Sequence, residues 1–231
     1  MDHTDATNRI KTIFSTFRTI TDSETRSLLS LSKGKLYELF VLSEVIVDLR
    51  RRGFSLNFSG NSIKFQSSPG SVNQFDPHFD VYVPGKQRPS FQIFVDVNTL
   101  TLGSTRASKS DLSHYHELDI AVISAGVTGL PKHHEVAMAV ECKAVATLTK
   151  GMVRGVIGLR RELSLLVKNN PSILSAALPR GQQILVPATP PSELWLVFID
   201  DRGARCRIGR DWRHEAVPGC FSLSMAAFPA L

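Results

Sequence analysis

Apolar residues in the first quarter of the chain recur at helical spacing. Residues 1–32 are predicted to be helical, with Thr21 and Glu24 placed as a capping box ahead of a leucine-rich turn. A stronger helical pattern covers residues 35–52 and ends at Gly53, a residue type that favours helix termination. The sequence therefore predicts a helical amino-terminal region.

From residue 54 to residue 145 the pattern changes to short apolar runs separated by turn residues, which is typical of a sheet. Two runs, 116–124 and 136–145, are apolar almost throughout, as strands buried on both faces are. A helix over 148–168 and a strand over 193–199 follow. Weaker strand candidates cover residues 55–58, 63–66, 79–83 and 90–98. This order predicts an α/β protein (α+β) whose mixed sheet is flanked by helices.

The composition is that of an ordinary globular protein, with 42% apolar and 21% charged residues. These fractions exclude collagen-like, disordered and coiled-coil proteins. No apolar run approaches the ~20 residues of a membrane span, and the polar amino terminus has no signal-peptide pattern. The 3 cysteines form no CxxC pair, which argues against a disulfide framework or a zinc site. We therefore expect a cytoplasmic protein that does not bind a membrane.

The charge is unevenly distributed along the chain. There are 27 basic and 21 acidic side chains, a net charge of +6, and residues 150–215 contain much of the basic excess. Within the predicted helix, Lys150, Arg154 and Arg161 fall on one side at about 100° per residue. This basic side favours a polyanionic partner, nucleic acid above all. An ordinary solvated helix face is the alternative.

The strand predicted over residues 136–145 contains two charged residues in its apolar run. Glu141 and Lys143 are two positions apart, so their side chains point to the same face. Burying a carboxylate and an ammonium costs free energy unless a partner compensates for it. A metal ion with a bound water would supply that compensation.

Asp119 repeats this anomaly in the preceding predicted strand. If the two strands form a hairpin-like pair, Asp119 lies across from Glu141, and two converging carboxylates suit Mg²⁺ or Mn²⁺. Glu38 adds a third acid on the buried face of the helix over residues 35–52. Asp96, which is also embedded in an apolar run, is an alternative metal ligand.

These residues occur in an order that resembles a known family. Glu38 lies on the first long helix, Asp119 on one strand, and the triplet Glu141-Cys142-Lys143 on the next. In this order they resemble the PD-(D/E)xK nuclease superfamily, whose members have the restriction-endonuclease-like fold.

The resemblance implies an α-β-β-β-α-β core within residues 33–200. Residues 1–32 would then be a helical extension, and residues 201–231 a basic and apolar extension packed on the same domain. One position departs from the commonest pattern of the family, since Leu118 stands where many members have proline before the acid.

The resemblance also implies a role for each residue of the motif. Asp119 and Glu141 would bind Mg²⁺ or Mn²⁺ together with the backbone carbonyl of Cys142. Lys143 would orient the attacking water or stabilise the developing charge. Glu38 would complete the metal shell or support a second ion.

On this basis we expect a metal-dependent nuclease that hydrolyses phosphodiester bonds, with DNA favoured over RNA and restriction or phage defence as one setting. Lys150, Arg154, Arg161 and His116 would bind the nucleic acid. A homodimer is expected if both strands are cut together, and an activating partner or effector is a further option. The alternatives are a non-catalytic nucleic-acid-binding or assembly module that retains the fold, and a hydrolase of free nucleotides.

Overall fold

The computed structural model of the chain describes five segments. They are residues 3–63, 69–104, 114–145, 149–200 and 224–229. Most of the strand predicted over 63–66 and most of the predicted extension over 201–231 lie outside the described residues.

Three helices come before the first strand. They are α1 (His3–Phe14), α2 (Asp22–Leu29) and α3 (Lys33–Arg51). The predicted capping box is confirmed at α2, where the Thr21 hydroxyl accepts from the Glu24 amide at 3.2 Å and the Glu24 carboxylate accepts from the Thr21 amide at 2.9 Å. Gly53 follows the end of α3 with a φ of +96°, a conformation that suits glycine.

The described segments contain nine strands and a fourth long helix, α4 (Lys150–Leu163). The strands before α4 are β1 (Ser55–Ser59), β2 (His78–Tyr82), β3 (Phe91–Leu100), β4 (Tyr115–Ser124) and β5 (Val136–Lys143). Those after it are β6 (Leu165–Pro171), β7 (Leu185–Thr189), β8 (Glu193–Asp200) and β9 (Ser224–Pro229).

Seven of these strands form one sheet in the order β1-β2-β3-β4-β5-β8-β9. Neighbours from β1 to β5 are antiparallel, whereas β8 runs parallel to β5 and β9 runs parallel to β8. β6 and β7 form a separate antiparallel pair. The predicted mixed sheet is therefore confirmed, and it is mostly antiparallel.

Helices cover both faces of the sheet. α1 and α3 pack on one face, where Ile46 and Val122 belong to the same buried cluster. α4 packs on the other face, where Leu159 and Ile123 belong to a second cluster. Strand residues that face either way are therefore shielded from water. In the described segments none of the helices is both long and apolar enough to cross a membrane.

Two elements differ from the expectation based on sequence. The helix predicted over 148–168 ends at Leu163, and the chain from Leu165 onward forms β6. Ser164 has extended backbone angles (φ −162°, ψ 154°), and its hydroxyl donates to the Arg160 carbonyl at 3.2 Å. The leucine-rich run after Ser164 fits a helix or a strand, and pairing with β7 selects the strand. In addition, β9 lies in the predicted carboxy-terminal extension, where it pairs with β8.

A buried ion pair connects the end of α3 to the start of β8. Nη1 of Arg52 donates to both carboxylate oxygens of Glu193, at 3.0 and 2.9 Å. Glu193 is 2% exposed and also accepts from the Ser172 hydroxyl at 2.7 Å. The more exposed Asp48 lies 2.7 Å from the same guanidinium. This pair fixes α3 against the parallel part of the sheet.

Glu193→Gln should lower the free energy of unfolding by about 3 kcal/mol, because it leaves the Arg52 guanidinium without its buried counter-charge. Asp48→Asn removes the more exposed partner of the same arginine and should cost under ~1 kcal/mol. Urea unfolding followed by circular dichroism measures both losses. Equal losses for the two variants would contradict the assignment of Glu193 as the main partner.

Candidate active site

β4 and β5 separate at the point where the two predicted acids lie. Their antiparallel ladder ends at the pair Ile120–Val140, and the next position in this register is Asp119 with Glu141. There the Cys142 amide donates to Asp119 Oδ2 at 2.5 Å. The Asp119 carboxylate thus takes the place of a β4 backbone carbonyl as the hydrogen-bond partner of β5. The two acids lie side by side where the strands separate, a point called the fork of β4 and β5.

Lys143 connects the two acids. Its Nζ donates to Glu141 Oε2 at 2.9 Å and lies 3.9 Å from Asp119 Oδ2. Side-chain exposure rises from 9% at Glu141 through 15% at Asp119 to 31% at Lys143, so the group opens to solvent at the lysine. Glu141 Oε1 is buried, and no residue that the structure describes donates a hydrogen bond to it. A bound cation would satisfy such an oxygen.

Burial dominates the protonation of these acids. It raises the pKa of Glu141 to about 7, and the neighbouring charge of Asp119 adds to the increase. Burial also raises the pKa of Asp119, against the lowering effect of the Cys142 amide. Burial alone would lower the pKa of Lys143, but Glu141 and Asp119 outweigh it, and the pKa of the ammonium is raised. Lys143 therefore stays charged at neutral pH, where Glu141 readily holds a proton.

A third acid, Asp96 of β3, lies next to Asp119 in the register of β3 and β4. The ladder between β3 and β4 has the pairs Val95–Ile120 and Val97–Leu118 on either side, but Asp96 and Asp119 themselves are not paired. Asp96 has a φ of +53°, a left-handed conformation that costs about 1–3 kcal/mol for a residue with a side chain. Val95 consequently faces α3 whereas Val97 faces α4, so the alternation of β3 shifts by one residue. This shift places Asp96 on the α3 side of the sheet.

Lys35 in the first turn of α3 binds two acids. Its Nζ donates to Glu38 Oε2 at 2.8 Å and also to Asp96 Oδ2. Burial raises the pKa of Glu38 more than Lys35 lowers it, and the charge of Asp119 raises it further. Burial would lower the pKa of Lys35, but its hydrogen bonds to the two acids outweigh burial and raise it. Glu38, Asp96, Asp119 and Glu141 therefore form one electrostatic group, called the acid cluster below.

The predicted catalytic residues divide into two subsets within this arrangement. Asp119 and Glu141 are joined through Lys143, and the Cys142 backbone is bonded to Asp119. Glu38 lies on α3, where it is bonded to Lys35, and the charge of Asp119 acts on it. The structure thus brings the strand residues into contact and places Glu38 at the other side of the cluster.

The predicted nucleic-acid-binding residues lie on α4 and near the start of β4. Lys150, Arg154 and Arg161 are exposed, and the opposite face of α4 is buried in the core. His116 Nδ1 lies 3.1 Å from Glu162 Oε2, near the end of α4. The basic side of α4 therefore faces solvent, and His116 is held at the end of that helix.

Sequence reasoning missed two buried or half-buried cations. Lys35 precedes Glu38 by three positions, a spacing that places both on one side of a helix and could have indicated their contact. Arg160 is 3% exposed and donates to the Ser192 carbonyl at 2.8 Å. It follows the buried Val156 by four positions, so helical spacing alone places it on the core face. Burial lowers its pKa to about 10.

The donor atoms of this site suit a small divalent cation. Mg²⁺ commonly binds through one or two carboxylates and keeps several waters, and Asp119 and Glu141 offer such oxygens. Among the residues that the structure describes, no group of three or more His, Cys, Asp or Glu side chains is close enough to hold a metal ion. Lys35 and Lys143 instead bind the acids. An ion bound here would therefore complete its shell with a backbone oxygen, water or substrate.

In comparisons with known proteins, no family model, no curated protein and no solved structure matches the chain. We therefore infer the function from the residues of the site and from their surroundings.

The positive φ of Asp96 predicts an inverted order of two substitutions. Glycine in a strand is normally less stable than alanine by about 0.5–1 kcal/mol. At this position alanine is strained, so Asp96→Gly should be more stable than Asp96→Ala by about 1 kcal/mol. Both variants lose the contact with Lys35. The matched control is Asn98 in the same strand, where alanine should be the more stable replacement. Thermal unfolding that gives the ordinary order at both positions would refute the left-handed conformation.

The raised pKa of Glu141 predicts how stability depends on pH without metal. Folded Glu141 keeps its proton up to about pH 7, whereas an unfolded glutamate loses it near 4.5. The stability from this group is therefore present at low pH and is lost as the pH rises towards 7. Glu141→Gln stays neutral throughout, so its stability relative to the wild type should increase from about pH 5 to about pH 8 in EDTA. Urea midpoints that change in the opposite direction would contradict the assignment.

Proposed function

We propose that this protein is a metal-dependent nuclease that hydrolyses phosphodiester bonds in nucleic acid, with DNA favoured over RNA. The observation that supports this best is the group of Asp119, Glu141 and Lys143 at the fork of β4 and β5. In that group a buried oxygen of Glu141 has no donor among the described residues. Two carboxylates beside a lysine suit a divalent ion and a phosphate together.

The order of elements agrees with the family that the sequence resembles. α3, β3, β4, β5, α4 and β8 follow one another as α-β-β-β-α-β, with β1 and β2 added after α3 and with β6 and β7 added after α4. We infer that these six elements correspond to a restriction-endonuclease-like core. The acids then lie at the centre of that core, on neighbouring strands and on its first helix.

In the proposed reaction the residues of the chain bind the ion and orient the reactants. Asp119 and Glu141 would hold Mg²⁺ with the Cys142 carbonyl, while the Cys142 amide keeps the Asp119 carboxylate in place. The ion would supply a Lewis acid and a water of lowered pKa. Lys143 is at the solvent side of the group, where its ammonium would orient that water or stabilise charge on the phosphate. Glu141 must lose its proton before it can bind the ion, so low pH would oppose activity.

The basic side of α4 supports a polymeric substrate. Lys150, Arg154 and Arg161 are exposed on the helix that follows β5. Basic side chains placed along one helix side can bind successive phosphates without reading the bases. Binding through such contacts weakens steeply as salt is added. A free nucleotide would not require this extended basic surface.

The proposal predicts that Lys143→Ala lowers cleavage by about 100-fold or more, since it removes a charge that acts on the reacting groups. Plasmid, linear duplex, single-stranded DNA and structured RNA are incubated with and without Mg²⁺ or Mn²⁺, and products are resolved on gels. Lys86→Ala is the matched control, because Lys86 is an exposed lysine on the turn between β2 and β3. It should leave cleavage unchanged.

Three results would contradict the proposal. Cleavage that needs no divalent ion, or that persists in Lys143→Ala, would exclude catalysis by this site. No cleavage combined with a salt-sensitive gel shift would instead support a nucleic-acid-binding module that retains the fold. Circular dichroism of Lys143→Ala distinguishes a lost charge from a lost fold.

A further inference from the structure

The acid cluster already contains one cation on its α3 side. The Lys35 ammonium is bonded to Glu38 of α3 and to Asp96 of β3, two carboxylates from different layers of the fold. The Asp96 side chain is 5% exposed, and those of Lys35 and Glu38 are 20% exposed, so this contact is mostly shielded from water. Oxygen atoms from two elements that converge on one cation are also the usual surroundings of a bound divalent ion.

We propose that Lys35 takes the place of a second metal ion, so that the site binds a single divalent cation through Asp119 and Glu141. This inference rests on the proposed function, because it concerns the number of ions held by the same site. Lys35 is a positioning residue in this account. It neutralises Glu38 and Asp96, and it keeps them from competing for the ion at the fork of β4 and β5.

The backbone supports a role for this contact. Asp96 reaches the α3 side of the sheet only because its left-handed conformation shifts the alternation of β3 by one residue. An ordinary strand would direct a residue at this position towards α4. The chain thus maintains an unfavourable backbone conformation where Asp96 meets Lys35.

Electrostatics explains why a cation is needed there. The negative charges of Asp96 and Asp119 both act to raise the pKa of Glu38. Removing the Lys35 charge would leave the carboxylates of Glu38 and Asp96 without the cation that is bonded to both. Because Lys35 is part of α3, its ammonium is always present at the site, whereas a metal ion must be captured from solution. The lysine therefore competes effectively with a free ion.

The opposite side of the cluster presents a buried carboxylate oxygen that a divalent ion could bind. The Glu141 side chain is 9% exposed, and its Oε1 has no donor among the described residues. Lys143 binds the other oxygen of that carboxylate. The two lysines thus differ in their contacts with the acids. Lys35 bonds to both of its neighbouring acids, whereas Lys143 bonds to one oxygen of Glu141 and leaves the other without a hydrogen-bond donor. This difference assigns the divalent ion to the Asp119 and Glu141 side.

The experiment counts Mn²⁺ ions bound per folded chain by electron paramagnetic resonance of free Mn²⁺. Wild type should bind one ion, and Lys35→Gln should bind one more, because glutamine removes the charge and leaves Glu38 and Asp96 without a cation. Lys35→Arg keeps the charge and should bind the same number as wild type. The double variant Lys35→Gln with Asp96→Asn lacks one of the two carboxylates, so it should also return to the wild-type number.

An unchanged number of ions in folded Lys35→Gln would overturn the inference, and so would two ions in the wild type. Asp96→Asn in the otherwise natural chain gives a second test if Lys35→Gln does not fold. It should keep the wild-type number, and a lost ion would identify Asp96 as a metal ligand and overturn the inference. The proposed function is judged separately by Glu141→Gln, which should lose the wild-type ion. If Glu141→Gln binds Mn²⁺ as wild type does, the proposed function fails. An additional ion in Lys35→Gln would still show that the Lys35 ammonium takes the place of a metal ion.

Discussion

Acidic side chains cannot be buried in the middle of a sheet unless something compensates for their charge. Asp96, Asp119 and Glu141 lie on three neighbouring strands of this protein, and each has a specific compensating group. Asp96 is bonded to Lys35, the Asp119 carboxylate accepts the Cys142 amide, and Glu141 is bonded to Lys143. Two local departures from a regular sheet occur at these acids. Asp96 is the left-handed residue of β3, and the ladder between β4 and β5 ends at the pair Ile120–Val140, next to Asp119.

The long helix α3 is attached to the sheet at both of its ends by charged residues. Near its start Lys35 contacts Asp96 on β3, and just beyond its end Arg52 contacts Glu193 on β8. The two attachments differ in what they do. Glu193 receives hydrogen bonds at both carboxylate oxygens and serves the fold. The contact at the start of the helix joins the acid cluster, so the position of α3 determines the charge around the candidate site.

The sequence was most informative where a charged residue interrupts a regular apolar pattern. Asp119 and Glu141 stand out within almost wholly apolar strands, and the predicted antiparallel pair does place them in adjacent positions. Glu38 was found from helical spacing, but its side chain is bonded to Lys35. Asp96 was recognised only as an alternative ligand, because no pattern in the sequence reveals a positive φ.

Contacts between distant segments were less predictable. Lys35 and Asp96 are 61 positions apart, and nothing in either local pattern indicates that they meet. Arg160 was given no role from the sequence, although its spacing from Val156 assigns it to the core face of α4. The end of α4 was also predicted five residues too late, since the leucines after Ser164 suit a strand equally well and β7 provides the partner.

We propose that the fork of β4 and β5 binds a divalent cation, and anomalous diffraction from crystals grown with Mn²⁺ locates such an ion. We expect one strong peak at ~2.0–2.3 Å from a carboxylate oxygen of both Asp119 and Glu141, with Lys35 still bonded to Glu38 and Asp96. Absence of a peak at the fork in a Mn²⁺-saturated crystal would contradict this proposal. A peak between Glu38 and Asp96 with Lys35 displaced would contradict it as well.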